Sequence, residues 1–361
     1  MYESFYKLKA DPFLMSPDHR FAFSHGDYAQ ARSYLEYGLI RGEGIVVVTG
    51  VPGTGKSTVV DDLLTRRRGE KLKIARLAST PIRVDELLRM VAFALGAEPA
   101  ATDRASVLIS IHRYLKEQYA REHSVLLIVD EAQNLTAEGL EELRQLTNLQ
   151  DRNRLRFQLF LLGQPGLRDL IRGPGMEQVR QRIIAYCHLE PLSLEATRDY
   201  IGHRLTVAGW QGDPVITGGA LRLIHQFSNG IPRRLNQICS LLLLHGFAEE
   251  KHRLEADDVT EVIKQLSSEM QGDSSDPESF AGQAESVEIL ADSEEESVED
   301  LAIILPVEPE PDHEPVEGPE EEPELEPEQE PDQAADEGQG DPRLRDARRF
   351  ASRYRSDFVM E

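Results

Sequence analysis

Apolar residues in the first 190 positions form short continuous runs that alternate with segments in which they recur every three or four residues. A continuous run is typical of a strand covered on both faces, and the wider spacing is typical of an amphipathic helix. The predicted strands are residues 45–48, 71–77, 124–129, 157–162 and 185–189. The predicted helices around them are residues 27–40, 84–95, 107–119 and 138–149. This alternation predicts a parallel sheet with helices on both faces.

The pattern changes after residue 190. Strand-like runs stop, and helical spacing continues over residues 194–208, 219–227, 232–247 and 256–266. The sequence therefore predicts a small all-α domain behind the α/β domain.

Charge divides the chain again. It carries 64 acidic and 40 basic residues, but residues 271–361 hold 30 of the acids and only six arginines, so residues 1–270 are formally neutral. Residues 271–342 hold 27 acids and no lysine or arginine, with repeated Glu-Pro steps. Such a segment buries too little apolar surface to offset the entropy of ordering, which predicts a disordered acidic linker.

Two segments of this tail differ from the rest. Residues 343–361 carry the six arginines, interleaved with aromatic residues. They predict either a short basic helix that docks on a partner or on the acidic tail, or an unstructured end. Residues 301–305 form an apolar island that suggests a short docking segment.

Cysteine use and the apolar runs indicate the cellular compartment. Cys187 and Cys239 lie far apart and match no metal-ligand spacing, so we expect buried, reduced thiols. The first residues lack the apolar core of a signal peptide, and the sequence has no run of 18 apolar residues. We therefore expect a cytoplasmic protein without a transmembrane segment.

A glycine-rich segment after the first predicted strand gives the strongest chemical signal. Its residues are Gly50, Val51, Pro52, Gly53, Thr54, Gly55, Lys56, Ser57 and Thr58. Between a strand and an amphipathic helix, such a loop turns backbone N–H groups around a polyphosphate, and the helix N-terminus adds a positive dipole end. Lys56 would contact the β- and γ-phosphates, and Ser57 would ligate Mg²⁺. The segment predicts a P-loop site for ATP and Mg²⁺.

The predicted strand 124–129 ends in two acids, Asp130 and Glu131. Ligands bind at the carboxyl ends of strands in open α/β sheets, so both acids would lie beside the P-loop. We predict that Asp130 holds the Mg²⁺ shell through water and that Glu131 polarises the attacking water as general base. The alternative interpretation is an acidic first turn of a helix.

Further segments carry a family resemblance. They are FYKLKADPF at 5–13, PDHRFAF at 17–23, DEAQNL at 130–135, LLGQPGLRDLI at 161–171, VRQRI at 179–183, HLEPLS at 188–193 and NGIPRRLNQIC at 229–239. With the P-loop, they resemble AAA+ ATPases, and more closely the ExeA/GspA family of general secretion pathway ATPases and its soluble relatives beside exosortase (PEP-CTERM) and exopolysaccharide genes. The resemblance spans residues 1–268 and implies an AAA+ core, a helical lid and assembly into a ring or filament.

The resemblance also implies roles for individual residues. Gln164 would be the first sensor, contacting the γ-phosphate or the attacking water, and Arg233 would be the second, reaching from the lid. Arg182, with Arg180 as runner-up, would be an arginine finger presented to the neighbouring subunit. The alternatives are a strand-end hydrogen bond for Gln164, an exposed helix-start arginine for Arg233 and a solvated basic face for Arg182.

Three aromatic residues of the amino-terminal segment raise a separate choice. Phe21, Phe23 and His25 would line the adenine side of the site, although core packing is the favoured role for the two phenylalanines.

The sequence thus predicts five segments: an amino-terminal segment and helix at 1–44, the P-loop core at 45–190, the lid at 191–268, the acidic linker at 269–342 and the basic end at 343–361. Longer members of the resembled family continue into a transmembrane helix and a periplasmic peptidoglycan-binding domain. The acidic tail at that position argues against a direct role in opening the cell wall.

The leading functional hypothesis is a Mg²⁺-dependent, ATP-hydrolysing oligomer. It would assemble or regulate an envelope secretion or exopolysaccharide export machine from the cytoplasm or the inner-membrane surface, with its own copies and a machine protein as partners. A nucleotide-binding scaffold without turnover is disfavoured, because Glu131, Gln164 and Arg233 are all present.

An ATP-dependent DNA-binding regulator of the transposition type is the alternative. Residues 66–68 and the group Arg152, Arg154 and Arg156 would supply its phosphate contacts. The neutral charge of residues 1–270 and the polyanionic tail argue against this alternative, because nucleic-acid binders usually carry a basic excess.

Overall fold

A five-stranded parallel sheet forms the core of the α/β part in the computed structural model, which describes residues 1–15, 18–78, 83–148 and 157–270. The strands are β1 (Ile45–Gly50), β2 (Leu72–Ala78), β3 (Ser124–Asp130), β4 (Phe157–Gly163) and β5 (Ile183–Leu189). Their order is β2-β3-β4-β1-β5. Each predicted strand is confirmed, and the continuous apolar runs of β1 and β4 are buried throughout. The order places the carboxyl ends of β1, β4 and β3 next to one another.

Helices cover both faces of this sheet. They are α2 (Gly26–Arg41), α3 (Lys56–Arg66), α4 (Val84–Leu95), α5 (Arg104–Ala120), α6 (Ala137–Thr147), α7 (Pro165–Arg172) and α8 (Glu177–Arg182), after a short α1 (Tyr2–Phe5). Successive side chains of a strand point to opposite faces. Accordingly Val46 and Val48 pack with α2 and α3, whereas Ile45 and Val47 pack with α4 to α8.

The chain after β5 is helical, as predicted. Its helices are α9 (Leu194–Val207), α10 (Gly218–Ser228), α11 (Pro232–Ala248) and α12 (Ala256–Met270). The prediction of helices alone was incomplete, because β6 (Val215–Ile216) and β7 (Arg253–Leu254) form a pair of parallel strands. Strands of two residues are too short to show an alternating pattern.

The amino-terminal segment packs on these helices rather than on the sheet. Its buried side chains Tyr2, Tyr6, Leu8, Phe13 and Phe21 share one apolar core with α9 to α12. Tyr6 Oη donates a hydrogen bond to the carbonyl of Lys251 (3.0 Å), and Arg204 Nη1 donates one to the carbonyl of Pro12 (3.0 Å). Helix α2 instead packs against β5. The two halves of the predicted segment 1–44 therefore belong to different cores.

Tyr6 provides a test of this packing, because its side chain is 1% exposed. We expect Tyr6→Ala to lower the free energy of unfolding by about 3–5 kcal/mol, as truncation of a buried aromatic ring does. Tyr6→Phe removes the hydrogen bond alone and should lower it by about 1 kcal/mol. Chemical denaturation measures both changes, and Phe93→Ala is the control, since Phe93 is 88% exposed. A Tyr6→Ala loss no larger than the control's would contradict this packing.

Three further sequence predictions concern the two cysteines, membrane-spanning helices and the tail. Cys187 and Cys239 are free and buried, as expected, and burial raises the pKa of Cys187 to about 12. Among the helices that the structure describes, none is long and apolar enough to cross a membrane. Residues 269 and 270, predicted as the start of the acidic linker, instead end α12. The rest of the linker, the apolar island, the basic end and the group Arg152, Arg154 and Arg156 lie outside the described residues.

Candidate nucleotide site

The P-loop leaves β1 at its carboxyl end and closes at the first turn of α3. Gly53 and Gly55 have φ values of +89° and +95°, in the left-handed region that favours glycine. A Cβ on Gly53 would lie 2.8 Å from the Cβ of Arg233, so the loop and the start of α11 approach each other closely. The Thr54 hydroxyl donates to the carbonyl of Val51 (2.9 Å) and so closes the turn.

Lys56 points back into the loop that it follows. Its Nζ donates to the carbonyls of Gly50 (2.9 Å) and Val51 (3.0 Å), and the residue is only 6% exposed. Burial lowers the pKa of Lys56, an effect that the nearby carboxylates of Glu131 and Asp130 oppose. A cation that has lost part of its hydration gains from a polyanionic ligand, because phosphate oxygens can replace the missing water.

Ser57 and Asp130 are hydrogen-bonded to each other, although β4 lies between β1, which leads into the P-loop, and β3, which ends at Asp130. Ser57 Oγ donates to Asp130 Oδ2 (2.9 Å), and the backbone N–H of Glu131 donates to Asp130 Oδ1 (3.1 Å). Mg²⁺ in phosphate sites takes oxygen ligands from one or two protein side chains and from the substrate. The hydroxyl and carboxylate present here fit that ion.

Glu131 follows Asp130 in an unusual backbone conformation, with φ 52° and ψ 39°. Its Oε2 accepts hydrogen bonds from Gln133 Nε2 (2.6 Å) and from Gln164 Nε2 (3.3 Å). The backbone N–H of Gln164 in turn donates to Gln133 Oε1 (2.9 Å). The structure thus places Gln164 beside the predicted base. Sequence reasoning missed Gln133, although it lies within the DEAQNL segment.

Arg233 begins the lid side of the site. It lies in the first turn of α11, and its backbone N–H donates to the carbonyl of Gly53 (3.2 Å). This hydrogen bond joins the helical part of the chain directly to the P-loop.

One pocket of 350 Å³ collects most of the predicted residues. The described residues that line it include Pro52, Gly53, Thr54, Gly55, Lys56, Ser57, Thr58, Asp130, Glu131 and Arg233, together with Phe21, Phe23, His25, Tyr28, Tyr200, Arg204 and Asn236. Gln164 is not among the lining residues, but it donates a hydrogen bond to Glu131, which is. A larger pocket of 420 Å³ between α4 and α5 includes none of the predicted residues.

The structure places Phe21, Phe23 and His25 in the wall of this pocket. Phe21 is also part of the apolar core of the helical part. The rings of Phe23 and His25 stack with centroids 6.1 Å apart. Burial lowers the pKa of His25, which favours its neutral ring.

The contacts of Arg180 and Arg182 differ. Arg180 donates to the backbone carbonyls of Ile171 (2.8 Å) and Gly173 (3.2 Å) of its own chain. Arg182 is exposed at the last residue of α8, and its Nη2 donates to Asn148 Oδ1 (2.5 Å). Neither arginine is among the residues that line the pocket of its own chain.

The arginines proposed for DNA contacts at residues 66–68 are partly neutralised. Arg66 pairs with Asp62 at 2.8 Å, and Arg67 pairs with Glu36 at 2.6 Å and with Glu70 at 3.0 Å. These acids reduce the attraction that the group can exert on a phosphate backbone.

Comparisons with known proteins give the following similarities. A family model described as an AAA domain matches residues 40–171. General secretion pathway protein A of Aeromonas hydrophila is 36% identical over 269 residues, which cover 74% of this chain and 49% of that protein. The chain therefore spans about half the length of this curated relative.

Solved structures are similar at lower sequence identity. Cdc6p from Pyrobaculum aerophilum is 16% identical, with a TM-score of 0.59 over 72% of each chain. The ORC1 protein of Aeropyrum pernix, solved in complex with DNA, is 17% identical, with a TM-score of 0.52 over 74% of each chain. These similarities show the fold, a P-loop sheet flanked by helices.

Proposed function

We propose that this chain, which belongs to the AAA+ family and is related to General secretion pathway protein A, is a Mg²⁺-dependent ATPase that works as an oligomer. The observation that carries the proposal is the convergence of Lys56, the Ser57–Asp130 pair and Glu131 on one pocket. A phosphate-binding loop needs only the first of these for binding, whereas hydrolysis needs the acids as well.

The P-loop and Lys56 bind the phosphates in this proposal. The backbone N–H groups of the loop and the start of α3 supply the donors, and Lys56 exchanges its two carbonyl partners for phosphate oxygens. Ser57 and Asp130 hold Mg²⁺, which neutralises charge on the phosphates when it is bound.

Glu131 acts as the general base on water. The water oxygen bonds to the γ-phosphorus, the bond from that phosphorus to the bridging oxygen of ADP breaks, and the water's proton passes to the Glu131 carboxylate. Gln164, which donates a hydrogen bond to Oε2 of Glu131, positions the water or the γ-phosphate. Arg233 brings a positive charge from the lid to the phosphoryl oxygens.

Arg182 completes the site of a neighbouring copy. Its exposure at the end of α8 supports this role, because a finger must reach beyond its own chain. Arg180 is less suited, since two backbone carbonyls of its own chain hold its guanidinium, whereas the hydrogen bond of Arg182 within its own chain goes to the side chain of Asn148. The active form is therefore a ring or a filament.

The cellular role rests on the relative's name. General secretion pathway protein A supports a role in assembling or regulating an envelope secretion or exopolysaccharide export system, with an inner-membrane machine protein as partner. The chain acts from the cytoplasmic side. The DNA-binding alternative has less support, because acids pair with Arg66 and Arg67.

Glu131→Gln tests the proposal. The amide keeps the shape of the side chain but cannot accept the proton, so kcat should fall by about 10²- to 10⁴-fold while the Kd for MgATP stays near the parent value. Phosphate release and calorimetric titration measure the two quantities. Glu117→Gln, the same change at an exposed position on α5, should leave both unchanged. Absence of phosphate release from the parent protein would contradict the ATPase proposal, and parent-like turnover in Glu131→Gln would exclude Glu131 as the base.

A further inference from the structure

Gln133 uses both ends of its side-chain amide within the site. Its Nε2 donates to Glu131 Oε2 at 2.6 Å, and its Oε1 accepts from the backbone N–H of Gln164 at 2.9 Å. Glu131 follows β3, and Gln164 follows β4, the neighbouring strand. One side chain thus links the carboxylate proposed as base to the backbone at the next strand end.

The backbone of Glu131 lies in the left-handed region, and its own hydrogen bonds do not orient its side chain. A non-glycine residue in the left-handed region is held there by its surroundings, and such residues cluster at functional sites. Here the backbone N–H of Glu131 donates to Asp130 Oδ1 (3.1 Å), and its carbonyl accepts from the N–H of Asn134 (3.0 Å). These bonds fix the peptide but leave the side chain to be oriented by other groups.

The carboxylate of Glu131 is held on one side. Within the described ranges, its hydrogen bonds from Gln133 and Gln164 both go to Oε2, and the bond from Gln133 is the shorter by 0.7 Å. Oε1 accepts no hydrogen bond from the described residues, so it is available to a water molecule. Since a carboxylate is planar, fixing one oxygen by two donors also restricts the direction of the other.

We propose that Gln133 is a positioning residue for ATP hydrolysis, which holds the Glu131 carboxylate in the orientation that accepts the water's proton. This inference rests on the proposed role of Glu131 as general base. Gln133 also couples that orientation to the end of β4, so a shift of Gln164 on contact with the γ-phosphate would reach the base through one side chain.

Gln133→Glu is the sharpest variant, because it replaces the NH₂ group that donates to Glu131 with an oxygen that can only accept. The new carboxylate can still accept from the N–H of Gln164, but it repels Oε2 of Glu131. Loss of a hydrogen bond to a charged group should lower kcat by about 10- to 100-fold, with the KM and Kd for MgATP near the parent values. Gln265→Glu, at an exposed position on α12, is the matched control and should keep parent kinetics.

A second variant guards against a folding defect. Gln133→Leu removes both hydrogen bonds without adding a charge, and it should give a similar loss of kcat with retained MgATP binding. Thermal melting of each variant identifies the folded samples. If both folded variants turn over ATP at the parent rate, or if kcat and MgATP affinity fall together, Gln133 does not position the base.

The double variant Glu131→Gln/Gln133→Glu separates positioning from general support of the site. A residue that acts only through Glu131 has nothing left to orient once the base is removed, so the double variant should release phosphate in a single turnover as fast as Glu131→Gln alone. The same fold-loss in both backgrounds would overturn the inference. The proposed function fails instead if Glu131→Gln itself keeps parent activity, whatever Gln133 does.

Discussion

Lys56→Ala is expected to raise the Kd for MgATP by about 10²- to 10⁴-fold. The ammonium would make two charge-assisted hydrogen bonds to phosphate oxygens, each contributing about 1.5–3 kcal/mol, and every 1.4 kcal/mol changes the affinity about tenfold. Lys56 is also buried, and its ammonium contacts the P-loop backbone at the carbonyls of Gly50 and Val51. Isothermal titration with MgATP measures the change.

The control for this variant must exclude a damaged loop. Because Lys56 bonds to two loop carbonyls, its removal also weakens the loop, and thermal melting shows whether the fold survives. Lys73→Ala makes the same change at an exposed position on β2 and should bind MgATP as the parent does. Unchanged affinity in folded Lys56→Ala would contradict the assignment of the P-loop.

Arg182→Ala is expected to lower the steady-state ATPase rate by about 10³- to 10⁵-fold, the range over which an arginine finger accelerates phosphoryl transfer. The Kd for MgATP should change little, because Arg182 is not among the residues that line the pocket of its own chain. Arg253→Ala, whose side chain is 67% exposed at β7, is the matched control and should keep the parent rate.

Arg180→Ala distinguishes the runner-up. Its guanidinium bonds to the carbonyls of Ile171 and Gly173, so we expect this variant mainly to lower the melting temperature. A rate loss in folded Arg180→Ala as large as the one predicted for Arg182→Ala would assign the finger to Arg180 instead.

The sheet and the longer helices could be predicted because their signals are local. Four buried valine or isoleucine residues in succession at 45–48 are enough to indicate a strand covered on both faces, and α4 was predicted at its observed bounds, Val84–Leu95. The strand pair β6–β7 and the packing of Tyr6 on the helical part could not be predicted. Both depend on residues about 40 to 245 positions apart in the chain, which no local pattern records.

In the candidate site, too, contacts that follow from local sequence patterns could be predicted, and contacts that depend on the folded arrangement could not. Ser57 and Asp130 could be expected to meet, since each follows a buried strand and parallel strands end at one edge. Gln133 gave no signal of its own, because its importance lies in the two groups that its amide joins. Arg180 and Arg182 are two residues apart, and only their contacts distinguish them.

The most direct measurement is phosphate release from an equal mixture of Arg182→Ala and Glu131→Gln subunits. Each variant alone should be nearly inactive, but a head-to-tail assembly pairs the intact Glu131 of one subunit with the intact Arg182 of the next. Random mixing makes about a quarter of the interfaces complete, so the mixture should recover about a quarter of the parent rate. A mixture that stays inactive, although both variants bind MgATP and native mass spectrometry shows mixed assemblies, would contradict an ATPase site completed between subunits.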